Sequence, residues 1–141
     1  MARAMRSSPP VSRLAGDLSL LFARVAVGSF LVWGVWDNVT STARMNEFAA
    51  FLKVHGFVAP AIMAPLSVAA QLVAGAGLVL GLFTRWAGLL VVANFVVALV
   101  MIDARLGIRG AYPSVSLVAL GLVFYAFGAG RVALDAMTGR R

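Results

Sequence analysis

The stretch 72-LVAGAGLVLGLFTR-85 places Gly75, Gly77 and Gly81 within seven residues. Glycines this dense either cradle a phosphate or let two backbones touch. A dinucleotide fingerprint needs G-x-G-x-x-G after a strand and an acidic residue about 20 positions later. Here the spacing is G-x-G-x-x-x-G inside an uncharged apolar run, and Phe95 and Val96 stand at the later positions. A phosphate loop needs Lys and then Ser or Thr after its last glycine, but Leu82 and Phe83 follow Gly81. The remaining reading is close helix contact, with Gly75, Gly77 and Gly81 as packing residues and Gly77-x-x-x-Gly81 as the small-residue face.

The rest of the chain agrees. Of 141 residues, 62% are hydrophobic and only 12% charged, and the mean hydropathy is +0.95. A soluble domain carries roughly 25% charged residues, so lipid is the solvent this composition suits. Residues 18–36 are interrupted by a single charge, Arg24, while 61–83, 86–102 and 112–129 carry none. A span needs about 20 apolar residues at ~1.5 Å each. Backbone groups in hydrocarbon must be satisfied within the segment, which selects helices, and the alternation of barrel strands is missing. The expected fold is all-α, an integral membrane four-helix bundle. It occupies residues 18–135, between basic tails at 1–17 and 136–141. The first apolar run is too long for a cleaved signal peptide, whose apolar region runs about 7–15 residues. It reads as an uncleaved anchor.

Lys and Arg sort unevenly between the two sides. Arg3, Arg6, Arg13, Arg85, Arg131, Arg140 and Arg141 share one side, against Arg44, Lys53, Arg105 and Arg109 on the other. The bias predicts both termini in the cytoplasm, for a multi-pass protein of the bacterial inner membrane. The net charge of +7 then serves anchoring and attraction to anionic membrane lipid. No soluble module remains to bind nucleic acid. In the long first loop, Met45, Phe48, Ala49 and Leu52 recur at helical period. Thr40, Ser41 and Thr42 can cap that segment and Gly56 can end it. This predicts a short helix at the outer interface or across the bundle mouth. Only Thr84 and Arg85 separate the second and third spans, which are expected to be antiparallel neighbours.

Much chemistry is excluded. The chain has no cysteine and one histidine, His55, so it holds no thiol redox pair, no cysteine-ligated cluster and no bis-histidine haem. No metal site and no catalytic residue are assigned, and any redox group sits on a partner or diffuses in the membrane. Polar side chains at membrane depth each need a reason. Arg24 lies about 9 Å along the helix from Leu18 and is expected to form a structural ion pair with Asp135. Gln71 and Asn94 are the deep amides. Reflected about the Thr84–Arg85 hairpin, Asn94 falls opposite Gly75, about one turn from Gln71, within reach of a direct or water-mediated hydrogen bond. Together with Trp33 and Trp36 near the outer end of the first span, they make the candidate ligand-binding set. Polar glue between helices is the competing explanation. Tyr112 and Tyr125 mark the ends of the fourth span.

Three segments together resemble the DoxX family of small four-helix bacterial membrane proteins: "LFARVAVGSFLVWGVWDN" with Arg24, Gly28 and Gly34; "AAQLVAGAGLVLGLFTRWAG" from Gln71 to Arg85; and "GAGRVALD", ending at Asp135. The resemblance implies association with membrane redox systems, including thiosulfate:quinone oxidoreductase and quinol-oxidase-linked complexes. It departs from the family at Gln71, where relatives commonly carry Glu, and at Asp37-Asn38, where a Lys is frequent. The function expected is an accessory or quinone-linked subunit of an oxidoreductase complex without a redox cofactor of its own. Quinone is its candidate ligand, and an oxidoreductase subunit or a second copy of the chain its candidate partner. A small-solute transporter or channel and a ligand-free assembly factor are the alternatives.

Overall fold

The computed structural model describes residues 10–139, which are mostly helical and include no strand. Helix α1 spans Pro10–Thr40, α2 Thr42–Val54, α3 Pro60–Leu80, α4 Thr84–Met101, α5 Gly107–Phe127 and α6 Leu134–Met137; a 3₁₀ turn, Asp103–Leu106, precedes α5. Four of these segments are long and apolar enough to cross a membrane. Less than a third of each is buried within the chain, so the remaining faces meet lipid.

The element boundaries correct the expectation at three places. The stretch 10–17 is the start of α1, not a tail without structure. Extending an existing helix adds a hydrogen bond per residue without a new nucleation cost. Residues 1–9, 140 and 141, which hold four of the five tail arginines, lie outside the described residues. The hairpin sits earlier than expected. Gly81 ends α3 with φ +65°, Phe83 precedes α4 with φ +49°, and Thr84 and Arg85 are already helical. The apolar run to Phe83 gives no sign of this break, because the turn is made by backbone conformation. At the other end, α5 begins at Gly107 and runs through Pro113. Pro113 is the seventh residue of α5, so it removes the hydrogen bond to the Arg109 carbonyl, a cost that proline carries inside a helix.

Helix α2 forms where its apolar stripe places it. Ser41 Oγ accepts from Arg44 N at 3.4 Å at its start, and Gly56 takes φ +81° after its end. Leu52 is buried, and Met45, Phe48 and Ala49 are half-buried on the face turned to α3 and α1.

In the membrane, α1 packs on α3, α3 on α4 and α4 on α5. Val27, Leu31, Ala74, Leu78, Ala87, Val91, Leu117 and Phe124, drawn from all four spans, make the shared core. Lipid tails are as apolar as leucine, so close backbone approach has to supply much of the association. Two glycine pairs provide it. A Cβ at Gly28 would stand 2.6 Å from Gly75 O, and one at Gly88 would stand 2.6 Å from Gly121 O. Gly75 therefore packs helix on helix. Gly77 faces Leu82 O and Ala87, and Gly81 belongs to the turn rather than to a helix face.

Adding a methyl group against a backbone carbonyl forces the helices apart. Gly88→Ala is expected to cost about 1–3 kcal/mol in reversible unfolding from detergent micelles. Gly34→Ala, with open space at its Cβ, is expected to be neutral or slightly stabilising.

Candidate functional site

Polar side chains gather in two places, one at each end of the bundle. Where α3 begins and α4 ends, a cavity of about 450 Å³ lies between these spans and α2. Phe48 and Leu52 of α2, together with Phe57, roof it. Its lining is apolar apart from Ser67, Gln71 and Asn94, and it includes no ionisable side chain. Gln71 Nε2 donates to Ser67 Oγ at 3.3 Å, and Ser67 Oγ donates to Asn94 Oδ1 at 2.8 Å. The relay leaves Asn94 Nδ2 and Gln71 Oε1 without a protein partner among the described residues.

Gln71 and Asn94 are thus linked, but through Ser67. The earlier turn explains the geometry. Reflecting about the end of α3 and the start of α4 moves the position opposite Asn94 from Gly75 to Ala70. Asn94 then falls between Ser67 and Gln71, and the serine hydroxyl reaches it first. Ser67 was visible in the sequence as part of the Gln71 stripe, but its bridging role depends on the exact turn.

Trp33 and Trp36 do not join this cavity. They sit on the outward face of α1, Trp33 with 82% exposure, beside a shallow groove formed with Val32, Ala76 and Val79. The candidate ligand set splits into an amide pair inside and an indole pair outside, because α1 packs on α3 through Gly28 and Leu31 and the indoles flank that contact on the exposed side. His55 is not among the residues that line the cavity either. Its Nδ1 lies 2.8 Å from Phe51 O and its ring 4.2 Å from the Phe51 ring, so it finishes α2.

The second polar centre is the α3–α4 turn. Arg24 is 1% exposed and Asp135 6%, yet no ion-pair contact joins them among the described residues, where the pairs are Arg44–Asp37 and Arg44–Glu47. Arg24 Nη1 donates to Leu78 O at 3.3 Å and Nη2 to Val132 O at 2.6 Å. Asp135 accepts from Phe83 N at 2.8 Å and Thr84 N at 2.9 Å, and its own N–H donates to Gly81 O at 2.9 Å. The expected direct pair is corrected to a split one. The guanidinium neutralises the carbonyl end of α3 and the carboxylate neutralises the N–H end of α4, where cations and anions are respectively favoured. Arg24 therefore does not reach for the headgroups; it is buried across the bundle. The closing segment that delivers Val132 and Asp135 and the left-handed Phe83 had no periodic signal.

At the start of α5, Ser114 Oγ donates to Asp103 Oδ2 and fastens the helix to the 3₁₀ turn.

Comparison with known proteins gives one finding. The DoxX family model matches residues 19–104, which covers α1 from Ser19 through α4 and stops before α5. No curated protein and no solved structure matches the chain.

Gly81 tests the junction directly. A left-handed non-glycine residue costs about 1–2 kcal/mol, and a Cβ at Gly81 would also run into Arg24 Nη1 and Ala133 Cβ. Gly56→Ala, left-handed but in open space, is expected to show only the conformational cost in detergent unfolding. Gly81→Ala is expected to exceed it by about 1–3 kcal/mol.

Proposed function

The chain belongs to the DoxX family of membrane proteins, and we propose that it is a quinone-linked accessory subunit of an oxidoreductase complex in the bacterial inner membrane, with both termini in the cytoplasm. The observation that carries this reading is the cavity beneath α2. Its ~450 Å³ lies within the usual range for small-molecule sites, about 300–1,000 Å³, and such sites are apolar with a few placed polar groups.

The residues fit a quinone head. Asn94 Nδ2 is a free donor for a ring carbonyl, and Gln71 Oε1 is a free acceptor for a ring hydroxyl. Ser67 fixes both amides through their other atoms. The apolar walls of α3 and α4, with Met63 and Leu66 among them, suit an isoprenoid tail. A bound quinone supplies two-electron, two-proton chemistry. This chain's residues bind and orient, since neither amide ionises and no acid or base lines the cavity to move a proton. Electron donors and acceptors then belong to a partner, in line with the missing ligands for haem, clusters or metals in the sequence. A transport role would need a polar path through the bundle, and Leu78 and Phe124, fully buried in the core, stand across it.

The test is equilibrium binding of a short-chain ubiquinone analogue to the purified protein in detergent. Saturable one-to-one binding is expected. Asn94→Leu is expected to weaken it about tenfold, the worth of one lost hydrogen bond, while Trp33→Phe leaves it unchanged. Absence of saturation, or equal affinity in Asn94→Leu, overturns the proposal.

A further inference from the structure

The end of the molecule that carries α6 holds a second cavity, of about 480 Å³, between the first turn of α4 and the segment following α5. Arg85 and Arg131 stand in its wall, and Trp86 and Phe127, 69% and 70% exposed, lie beside them. Arg85 is held in place: its Nη1 donates to Tyr125 O at 3.2 Å, and its side chain lies over Gly128. The chain reaches Arg131 through Gly128 at φ +71° and Gly130 at φ +73°. There, Arg131 N donates to Asp17 Oδ1 at 3.1 Å, which pins the backbone against α1. The Arg131 guanidinium meets no acceptor among the described residues.

The local acids are already engaged. Asp135 holds the N–H groups of Phe83 and Thr84, and Asp17 holds Arg131 N. Arg24 is buried directly behind the turn. Three arginines face two aspartates, so the cavity presents positive charge. Exposed indole and phenyl rings next to arginines at the end of a transmembrane bundle mark headgroup depth. A free inorganic anion has no use for those rings, whereas an amphiphile uses both halves of the site.

We propose that this cavity binds the headgroup of an anionic phospholipid. The phosphodiester lies between Arg85 and Arg131, the glycerol region lies against Trp86 and Phe127, and the acyl chains follow the exposed faces of α4 and α5. The site is separate from the quinone cavity and does not depend on it.

Trp86 provides the readout. The chain has three tryptophans, so Trp33→Phe/Trp36→Phe leaves Trp86 as the sole emitter. That protein is reconstituted into vesicles of phosphatidylcholine containing increasing fractions of phosphatidylglycerol or phosphatidylcholine with brominated acyl chains. Each membrane-surface arginine is worth roughly a fivefold preference for anionic lipid. Brominated phosphatidylglycerol is therefore expected to quench Trp86 with at least about fivefold higher relative association. Arg131→Gln, whose side chain holds nothing in place, is expected to remove about one such factor, and Arg85→Gln another. Arg105→Gln/Arg109→Gln at the far end is expected to keep the preference. Equal quenching by the two lipids, a preference unchanged in Arg131→Gln, or loss of the preference on adding inorganic phosphate at matched ionic strength would each overturn the assignment.

Discussion

One buried cation and one buried anion hold a single turn from its two sides. Arg24 reaches across from α1 to the carbonyl end of α3, and Asp135 reaches back from α6 to the N–H end of α4. In hydrocarbon, unsatisfied polar groups cost several kcal/mol each, and a tight hairpin exposes two helix ends at once. Using opposite charges on opposite helix ends lets both ions be buried without touching. It also ties α1, the α3–α4 hairpin and the closing segment into one unit. The cavity at the far end is then roofed by α2, while the bundle is fastened at the hairpin.

The same economy shapes the spans. Where lipid gives no drive for helices to associate, Gly28 against Gly75 and Gly88 against Gly121 bring backbones into contact. Further along α3 and α4, Ser67, Gln71 and Asn94 line a space between the helices. The position of the α3–α4 turn decides which residues meet there.

Much of this was legible in the residues. Long apolar runs, three of them charge-free, marked four spans, the Met45–Leu52 stripe marked α2, and the three DoxX-like segments led to a family that the match over residues 19–104 supports. The glycine spacing was read as helix contact, and Gly75 does pack on Gly28. What could not be read was conformation without compositional trace. Phe83 adopts a left-handed backbone that no pattern announces. The resulting five-residue shift in register hid the Ser67 bridge and misassigned Gly81 to a helix face. Arg24 and Asp135 were recognised as related, but sequence distance cannot tell a direct pair from two charges serving opposite helix ends. Trp33 and Trp36 were grouped with the amides by depth alone, and depth says nothing about which way a helix face turns.

The central claim is that Arg24 and Asp135 act on one another through the turn they share. A double-mutant cycle of Arg24→Met and Asp135→Asn, followed by reversible unfolding in detergent, measures it most directly. Residues in one hydrogen-bonded network couple by about 0.5–3 kcal/mol, whereas independent sites add within roughly 0.5 kcal/mol. The account predicts coupling above about 1 kcal/mol, since once either grip is lost the other holds a turn already free to move. Additive losses would mean that the two charges serve separate parts of the molecule.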